Sequence, residues 1–419
     1  MKRKLCLFLC VVLLSGLLCA GFSACGSEEE IVLYVYNWGE YISDGSDDSL
    51  DTNAAFEAYC REVLGKNVRV NYSTFSSNED MYAKISSGSA TYDVIIPSDY
   101  MIERMVSEGL LRPLANSEEE LLQKMPNYQY VEEAFRKDHV YYECGREEVY
   151  SVPYFYGMIG VIYNASIVAE DDEEIGSWGL MWDEDYKGDI LQFNNSRDAF
   201  GTALYYLGYD VNEATEEQWR EALELLKKQK EIVQGYVMDE IFNKMKSGSA
   251  AVSAYYAGDY LSMYEDNDEL AFFYPKEGTN VYVDAMCIPH NAQNYDLAME
   301  YINFMCSEEP AVANALYTYY ASPLTNVIES EEYQETMAEV HEDAMEILYG
   351  EMASSVPSQA YLNLSPERLT LLNSLWEELK VESSIGNGIY IGCGIIVAAL
   401  VAIAVYQLVK KRRWAKLYD

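Results

Sequence analysis

At 419 residues the chain is longer than the roughly 250–300 residues at which single cores stop growing, so two lobes are expected. Its formal net charge of −40 at pH 7 makes a field that repels nucleic acid and anionic substrates and draws cations from solution. Three scattered histidines, without an H-E-x-x-H, G-x-S-x-G or G-x-x-x-x-G-K-[ST] pattern, leave no catalytic base, metal set or phosphate loop on which to build an enzyme.

In chain order, the first segment is a leader. Lys2, Arg3 and Lys4 precede an apolar stretch and small residues, as in a secretory signal over 1–24. Its close, FSAC followed by GS, resembles a lipobox that would make Cys25 a lipidated N-terminus, with 25–30 as a linker; Phe22 stands where Leu is preferred. A plain signal peptide cut near Ala24 is the alternative.

From Ile31 short apolar strands alternate with amphipathic helices, which predicts an α/β fold. Strand IVLYVY is followed by a helix over Thr52–Leu64 stopped at Gly65, then strand NVRVNY, a capping box at Ser77–Asp80, a helix to Ser87 and strand YDVIIP. The polar stretch Lys137–Ser151 leads into SVPY and a new apolar series, the expected crossover between lobes. Two long helices are predicted in Glu213–Gln234, then strands AVSAYY and VYVDAMCIP. Helices over Asp296–Cys306, Pro310–Tyr319 and Ser365–Lys380 complete the body. KISSGSA (Lys84–Ala90) and KMKSGSA (Lys244–Ala250) each run into an apolar strand ending in Asp-Tyr, at Asp99-Tyr100 and Asp259-Tyr260, and read as one α/β unit used in both lobes.

The end of the chain has a second membrane signal. Ile389–Val409 has only Gln407 as a strongly polar residue and is long enough to cross a ~30 Å hydrocarbon core. Lys410, Lys411, Arg412 and Arg413 follow it, which places the 410–419 tail in the cytoplasm and the body outside, with 385–388 as a hinge. Four cysteines remain in the body, Cys60, Cys144, Cys287 and Cys306, without a C-x-x-C pair; Cys287 and Cys306 sit in apolar runs and read as buried thiols.

Ligands of open α/β sheets bind beyond the carboxyl ends of strands. Five such ends, NWGEY (Asn37–Tyr41), PSDY (Pro97–Tyr100), FNNSRDAF (Phe193–Phe200), YYAGDY (Tyr255–Tyr260) and VYVDA (Val281–Ala285), each join an aromatic to an acid. Rings around carboxylates suit a flexible cation with a methylene spine: ammonium groups take charge-assisted hydrogen bonds, and the alkyl segments lie between aromatic faces. A free amino acid would need an arginine for its carboxylate, and only Arg197 in these segments could serve.

At these residues the chain resembles the spermidine/putrescine-binding proteins of polyamine ABC importers. The resemblance runs over about Ile31–Lys380 and rests on YNWGEY, MYAKISSG…YDVIIPSDYMIERM, SVPYFYG, YKGDILQF, YPKEG, VDAMCIPHNAQN and YYASPLTN, in that order. It implies a two-lobed, type II-like periplasmic-binding-protein fold with two hinge crossovers and a ligand cleft between the lobes. Lobe 1 would comprise 31–150 and 277–322, and lobe 2 would comprise 151–276 and 323–384. By position, Trp38 and Tyr41 would be ring walls with Glu40 in the same loop, and Ser98 and Tyr100 would contact an amine. Asp198 matches a family carboxylate, and Asn195 stands where an acid is common. Tyr256 and Tyr282 replace tryptophans, Asp259 follows the first of them, Asp284 is the central ammonium-binding acid, and Tyr320 fits the Y-x-[ST]-P turn. The implied function is capture of polyamines, without a cofactor, for the permease subunits of an importer, at the outer face of the cytoplasmic membrane. Other small cations, or a membrane-tethered sensor, are the alternatives. The segment 389–409 departs from the family and reads as a second tether.

Overall fold

The computed structural model describes residues 30–46, 48–137 and 148–381. The expected leader, Cys25, Cys144, the span at 389–409 and the basic tail lie outside the described residues. Among the described residues no helix is long and apolar enough to cross a membrane.

Strand β1 (Ile31–Trp38) runs parallel to β2 (Val68–Phe75), in register from Ile31 opposite Val68 to Trp38 opposite Phe75. Between them α1 (Thr52–Glu62) starts at Asp51, whose side chain accepts the Ala54 N–H, so that an otherwise orphaned donor at the helix start is satisfied. Helix α2 (Asn78–Ser86) is capped by Ser77 in the same way, and β3 (Val94–Ile95) then pairs with β1. Helix α3 (Asp99–Ser107) buries Met101, Ile102, Met105 and Val106, and β4 (Leu111–Arg112) follows.

Strand β5 (Ser151–Asn164) begins where the crossover was expected, and it is 14 residues long, more than twice an ordinary strand of roughly 5–6. The second half is built from β6 (Ile190–Phe193), α4 (Ser196–Tyr206), α5 (Glu216–Lys230), β7 (Val233–Val237), β8 (Val252–Tyr256), α6 (Ala257–Asp266) and β9 (Leu270–Phe273). Strand β10 (Thr279–Pro289) then returns along β5, and α7 (Tyr295–Met305) and α8 (Glu308–Thr318) pack back on the first half. The short β11 (Ser358–Ala360) and α9 (Pro366–Val381) lie on the second half, where α9 packs on α5.

The strand order is β2-β1-β3-β10-β5-β8-β6-β7, with β10 and β5 antiparallel at the centre. These two long strands join two parallel units, β2-β1-β3 on one side and β8-β6-β7 on the other. The register of β10 against β5 shifts at Asp284/Ala285, so the strand is irregular midway between the two units.

The repeated KxxSGSA segments have one conformation. The helices ending at Ser86 and Lys246 both stop on a glycine at positive φ, Gly88 at 65° and Gly248 at 67°. The next strand in each case leads into a helix with its aspartate, Asp99 or Asp259, in the first turn. One expectation fails: Glu213–Gln234 holds a single helix, α5, and Gln234 belongs to β7. Val233 and Tyr236 pack against the core from β7, which reads as helical continuation when the apolar residues are counted without the break at Glu231. Cys60, Cys287 and Cys306 are buried free thiols.

Candidate functional site

A cleft of about 810 Å³, counting its open mouth, lies where the ends of β1, β3, β6 and β8 meet the middle of β10. Trp38, Tyr41, Ser98, Tyr100, Asn195, Asp198, Tyr256, Asp259, Tyr282, Asp284 and Tyr320 all line it, so eleven of the twelve residues singled out by sequence surround one space.

At the centre is Asp284, 4% exposed at the β10 irregularity. Tyr41 donates its phenol to Oδ2 at 2.7 Å, and Ser98 donates its hydroxyl to Oδ1 at 2.6 Å. Ser98 is itself fixed by Asn78, which donates to its hydroxyl at 3.0 Å and accepts its N–H at 3.1 Å. Burial pushes the Asp284 carboxyl up to about 6, against the pull of those two hydroxyl bonds. Each oxygen accepts one of these hydrogen bonds and retains a further lone pair, so this cleft-lining carboxyl has capacity to accept from a cation.

Asp198 stands at one end, in the first turn of α4. Its Oδ2 accepts the Tyr256 hydroxyl at 2.7 Å and the Asn195 Nδ2 at 2.8 Å, while Asn195 Oδ1 accepts the Asp198 N–H at 2.8 Å. Asn195 is thus the N-cap of α4 and holds Asp198; its side chain is spent on that task. Beneath, Arg197 lays its guanidinium 4.4 Å from the Tyr361 ring centre and donates to Asn212 and to the Leu362 carbonyl. On the facing wall Glu79 accepts the Tyr100 hydroxyl at 3.0 Å. Burial raises the carboxyls of both Asp198 and Glu79.

Toward the mouth Asp259 accepts the Tyr320 hydroxyl at 2.7 Å, and burial lifts its carboxyl to about 8, with Asp239 adding to the shift. Asp99 is its counterpart in the first unit and is also pushed up to about 8, but both its oxygens accept backbone N–H groups, those of Tyr100 and Val283, whereas one hydroxyl, that of Tyr320, donates to Asp259. Asp259 therefore faces the cleft with spare acceptor capacity, and Asp99 ties α3 to β10.

Rings complete the walls. Tyr41 meets Tyr320 edge-on at 4.8 Å between centres, and Tyr256 meets Tyr282 edge-on at 5.2 Å. Tyr282 lies over Gly157 of β5, where a Cβ would come within 2.7 Å of its hydroxyl. Gly39 is a second close approach, because a Cβ there would sit 2.6 Å from Asp239 Oδ2.

Glu40 is the exception. Its backbone is left-handed, at φ 49°, and its side chain is exposed and lines an outer acidic groove with Asp48 and Asp266. The tight turn after Trp38 directs residue 40 outward and brings Tyr41 back in, so Glu40 is corrected from cleft residue to rim residue.

Among the remaining lining residues, Glu79, Asp239 and Asn280 are polar groups that the sequence reading does not single out. Glu79 lies just past the end of β2, outside the five aromatic–acid strand ends, and Asp239 follows β7, whose first residues fall in the segment expected to be helical. Asn280 lies two residues before Tyr282 on β10, on the same face by alternation. Tyr361 lines the cleft from the 361–363 stretch, where the resemblance implies a further polar contact without aligning it to one residue; it follows β11, a strand of three residues.

Comparison with known proteins places this geometry. The sequence profile of the bacterial extracellular solute-binding protein family matches residues 54–339. The spermidine/putrescine-binding periplasmic protein of Escherichia coli K12 is 28% identical over 313 residues, covering 74% of this chain and 83% of its own. Among solved structures, the spermidine/putrescine ABC transporter substrate-binding protein PotD of Streptococcus pneumoniae is 30% identical with a TM-score of 0.63, covering 84% of this chain and 98% of its own. The Tp0655 (TpPotD) lipoprotein of Treponema pallidum is 25% identical with a TM-score of 0.65, covering 83% of this chain and 99% of its own.

Proposed function

Since the chain belongs to the bacterial extracellular solute-binding proteins, we propose that its cleft captures a linear polyamine, a di- or triamine such as putrescine or spermidine, for delivery to an ABC importer. One observation carries this reading: Asp198, Asp284 and Asp259 stand in one ring-walled cleft, each oriented by a tyrosine hydroxyl. Arg197, the nearest buried cation, is turned under Tyr361. Three acidic stations spaced by aromatic faces match ammonium groups spaced by methylenes. The names of the similar proteins in Escherichia coli and Streptococcus pneumoniae point to the same ligands. A carboxylate–ammonium contact contributes roughly 1.5–3 kcal/mol and a ring–cation contact about 0.5–2 kcal/mol, so a few of each support micromolar binding after association costs.

Calorimetric titration of the full-length protein in detergent with putrescine, cadaverine and spermidine tests this. Saturable binding of at least one amine is expected, with arginine and glutamate silent as controls; heats from none of the three would overturn it.

We also read the lipobox-like Cys25 and the 389–409 segment as two anchors that hold the body at the outer face of the cytoplasmic membrane, with the basic tail inside. The Treponema pallidum protein described as a lipoprotein is in keeping with the first. Fractionation of cells expressing Cys25→Ala, a deletion of 389–419, or both is the test, and only the double variant is expected in the soluble fraction. A single variant that is fully released would show that the remaining anchor does not hold.

A further inference from the structure

Asn280 is 3% exposed and lines the cleft, yet its Oδ1 is buried without a hydrogen-bond partner. An unpaired buried amide oxygen costs stability unless something else fills it. Of the neighbouring polar groups in the cleft, Asn195 caps α4, Ser98 serves Asp284 and Asn78 serves Ser98, while the Tyr282 hydroxyl and Trp38 Nε1 are, like Asn280 Oδ1, buried without a partner and offer donors rather than a carbonyl acceptor.

Its place in the sheet fixes what it would meet. Alternation along β10 sets Asn280, Tyr282 and Asp284 on the cleft face, so Asn280 stands about 13 Å along the strand from the central carboxylate. The antiparallel pairing of Val281 with Met158 puts Asn280 level with Ile159, which pairs in turn with Tyr256. Tyr256 is the residue that donates to Asp198. On the other side Asn280 pairs with Gln359 of β11, two residues before Tyr361. Asn280 therefore belongs to the Asp198 end of the cleft.

At that end Asp198 has Oδ1 to offer, and one oxygen does not satisfy every donor of an ammonium group. An ammonium group offers three N–H donors, and Asp198 Oδ2 already accepts two hydrogen bonds. We propose that Asn280 is a ligand-contacting, specificity-determining residue whose amide oxygen accepts an N–H of the ligand's terminal primary ammonium beside Asp198. Among the described residues the Asn280 carboxamide makes no side-chain hydrogen bond, so a turn about its last bond that brings the oxygen to the cleft breaks none. This assignment rests on the polyamine reading of the site and extends it: the group bound here carries N–H donors and is not a quaternary ammonium, which has none.

The test compares wild type, Asn280→Leu and Asn280→Asp, all full-length, for putrescine and spermidine affinity and for melting temperature without ligand. Asn280→Leu removes the acceptor at nearly the same volume, and affinity is expected to fall about tenfold or more. Its melting temperature without ligand should be equal to or above wild type, because the amide it loses bonds to nothing. Asn280→Asp keeps an acceptor and should bind within about threefold of wild type or tighter. Wild-type affinity in Asn280→Leu would overturn the assignment, as would a lowered melting temperature in both variants with parallel loss of binding, which marks a structural role. A wild type silent to every amine would instead overturn the polyamine reading, and this assignment with it.

Discussion

The phenol of Tyr41 donates to Asp284 Oδ2 at 2.7 Å, joining residues 243 positions apart in the chain. One belongs to the turn after β1 and the other to the irregular middle of β10, so this bond holds the first parallel unit to the strand that links both. It also shapes the carboxylate that the cleft presents.

Asp284→Asn keeps the shape and removes the charge. Polyamine affinity should fall by about a hundredfold, in line with loss of a charge-assisted contact and its long-range attraction. Melting temperature without ligand should hold or rise, because burial disfavours the ionised form. Titration calorimetry and a thermal melt on the same preparation check both.

Tyr41→Phe retains the ring that faces Tyr320 and deletes the hydroxyl. That hydrogen bond holds the Asp284 carboxyl down, so its loss should move the carboxyl further above 6. Affinity should drop about three- to tenfold at pH 6, with a smaller deficit at pH 8, where Asp284 ionises even without the phenol. A deficit that does not change with pH would contradict this.

Burial lifts the Asp259 carboxyl to about 8, whereas an unfolded chain titrates near 3.8. The folded, empty protein thus holds a proton that the unfolded chain has released. The favourable contribution is complete below about pH 4 and disappears as pH rises through 8. Thermal melts should show Asp259→Asn gaining on wild type as pH goes from 5 to 8. An ammonium ligand favours the ionised carboxylates, so binding at pH 7 should release protons, seen as binding heats that depend on the ionisation enthalpy of the buffer.

Gly258 precedes Asp259, and a Cβ there would lie 2.6–3.0 Å from three atoms of the Tyr320 ring. Gly258→Ala should displace Tyr320 and break its bond to Asp259, lowering stability by roughly 1–3 kcal/mol and weakening ligand binding. Denaturant melts check the first effect and calorimetry the second.

Much of this site was legible in the sequence, because many of its residues follow apolar runs; Asp198 and Asp259 lie just past strand ends, whereas Asp284 falls within β10 at its irregularity. Asp284, Asp198 and Asp259 each follow such a run within a few residues. Glu40 shows the limit: adjacency to Trp38 and Tyr41 says nothing of the left-handed backbone that turns it outward. Asp239 was hidden because α5 and β7 are separated only by Glu231 and Ile232, too short a break to read without the sheet. The paired aspartates of the repeated unit were found together, yet only packing separates them. Val283 N–H takes up Asp99, and nothing but Tyr320 takes up Asp259 among the hydrogen bonds of the described residues.

The most direct measurement is a crystal structure of the protein with spermidine bound. The account predicts one ligand nitrogen within about 3 Å of the Asp284 carboxylate, a terminal nitrogen beside Asp198, and methylenes against Tyr256 and Tyr282. Spermidine bound elsewhere, or in the cleft with no nitrogen at Asp284, would contradict it.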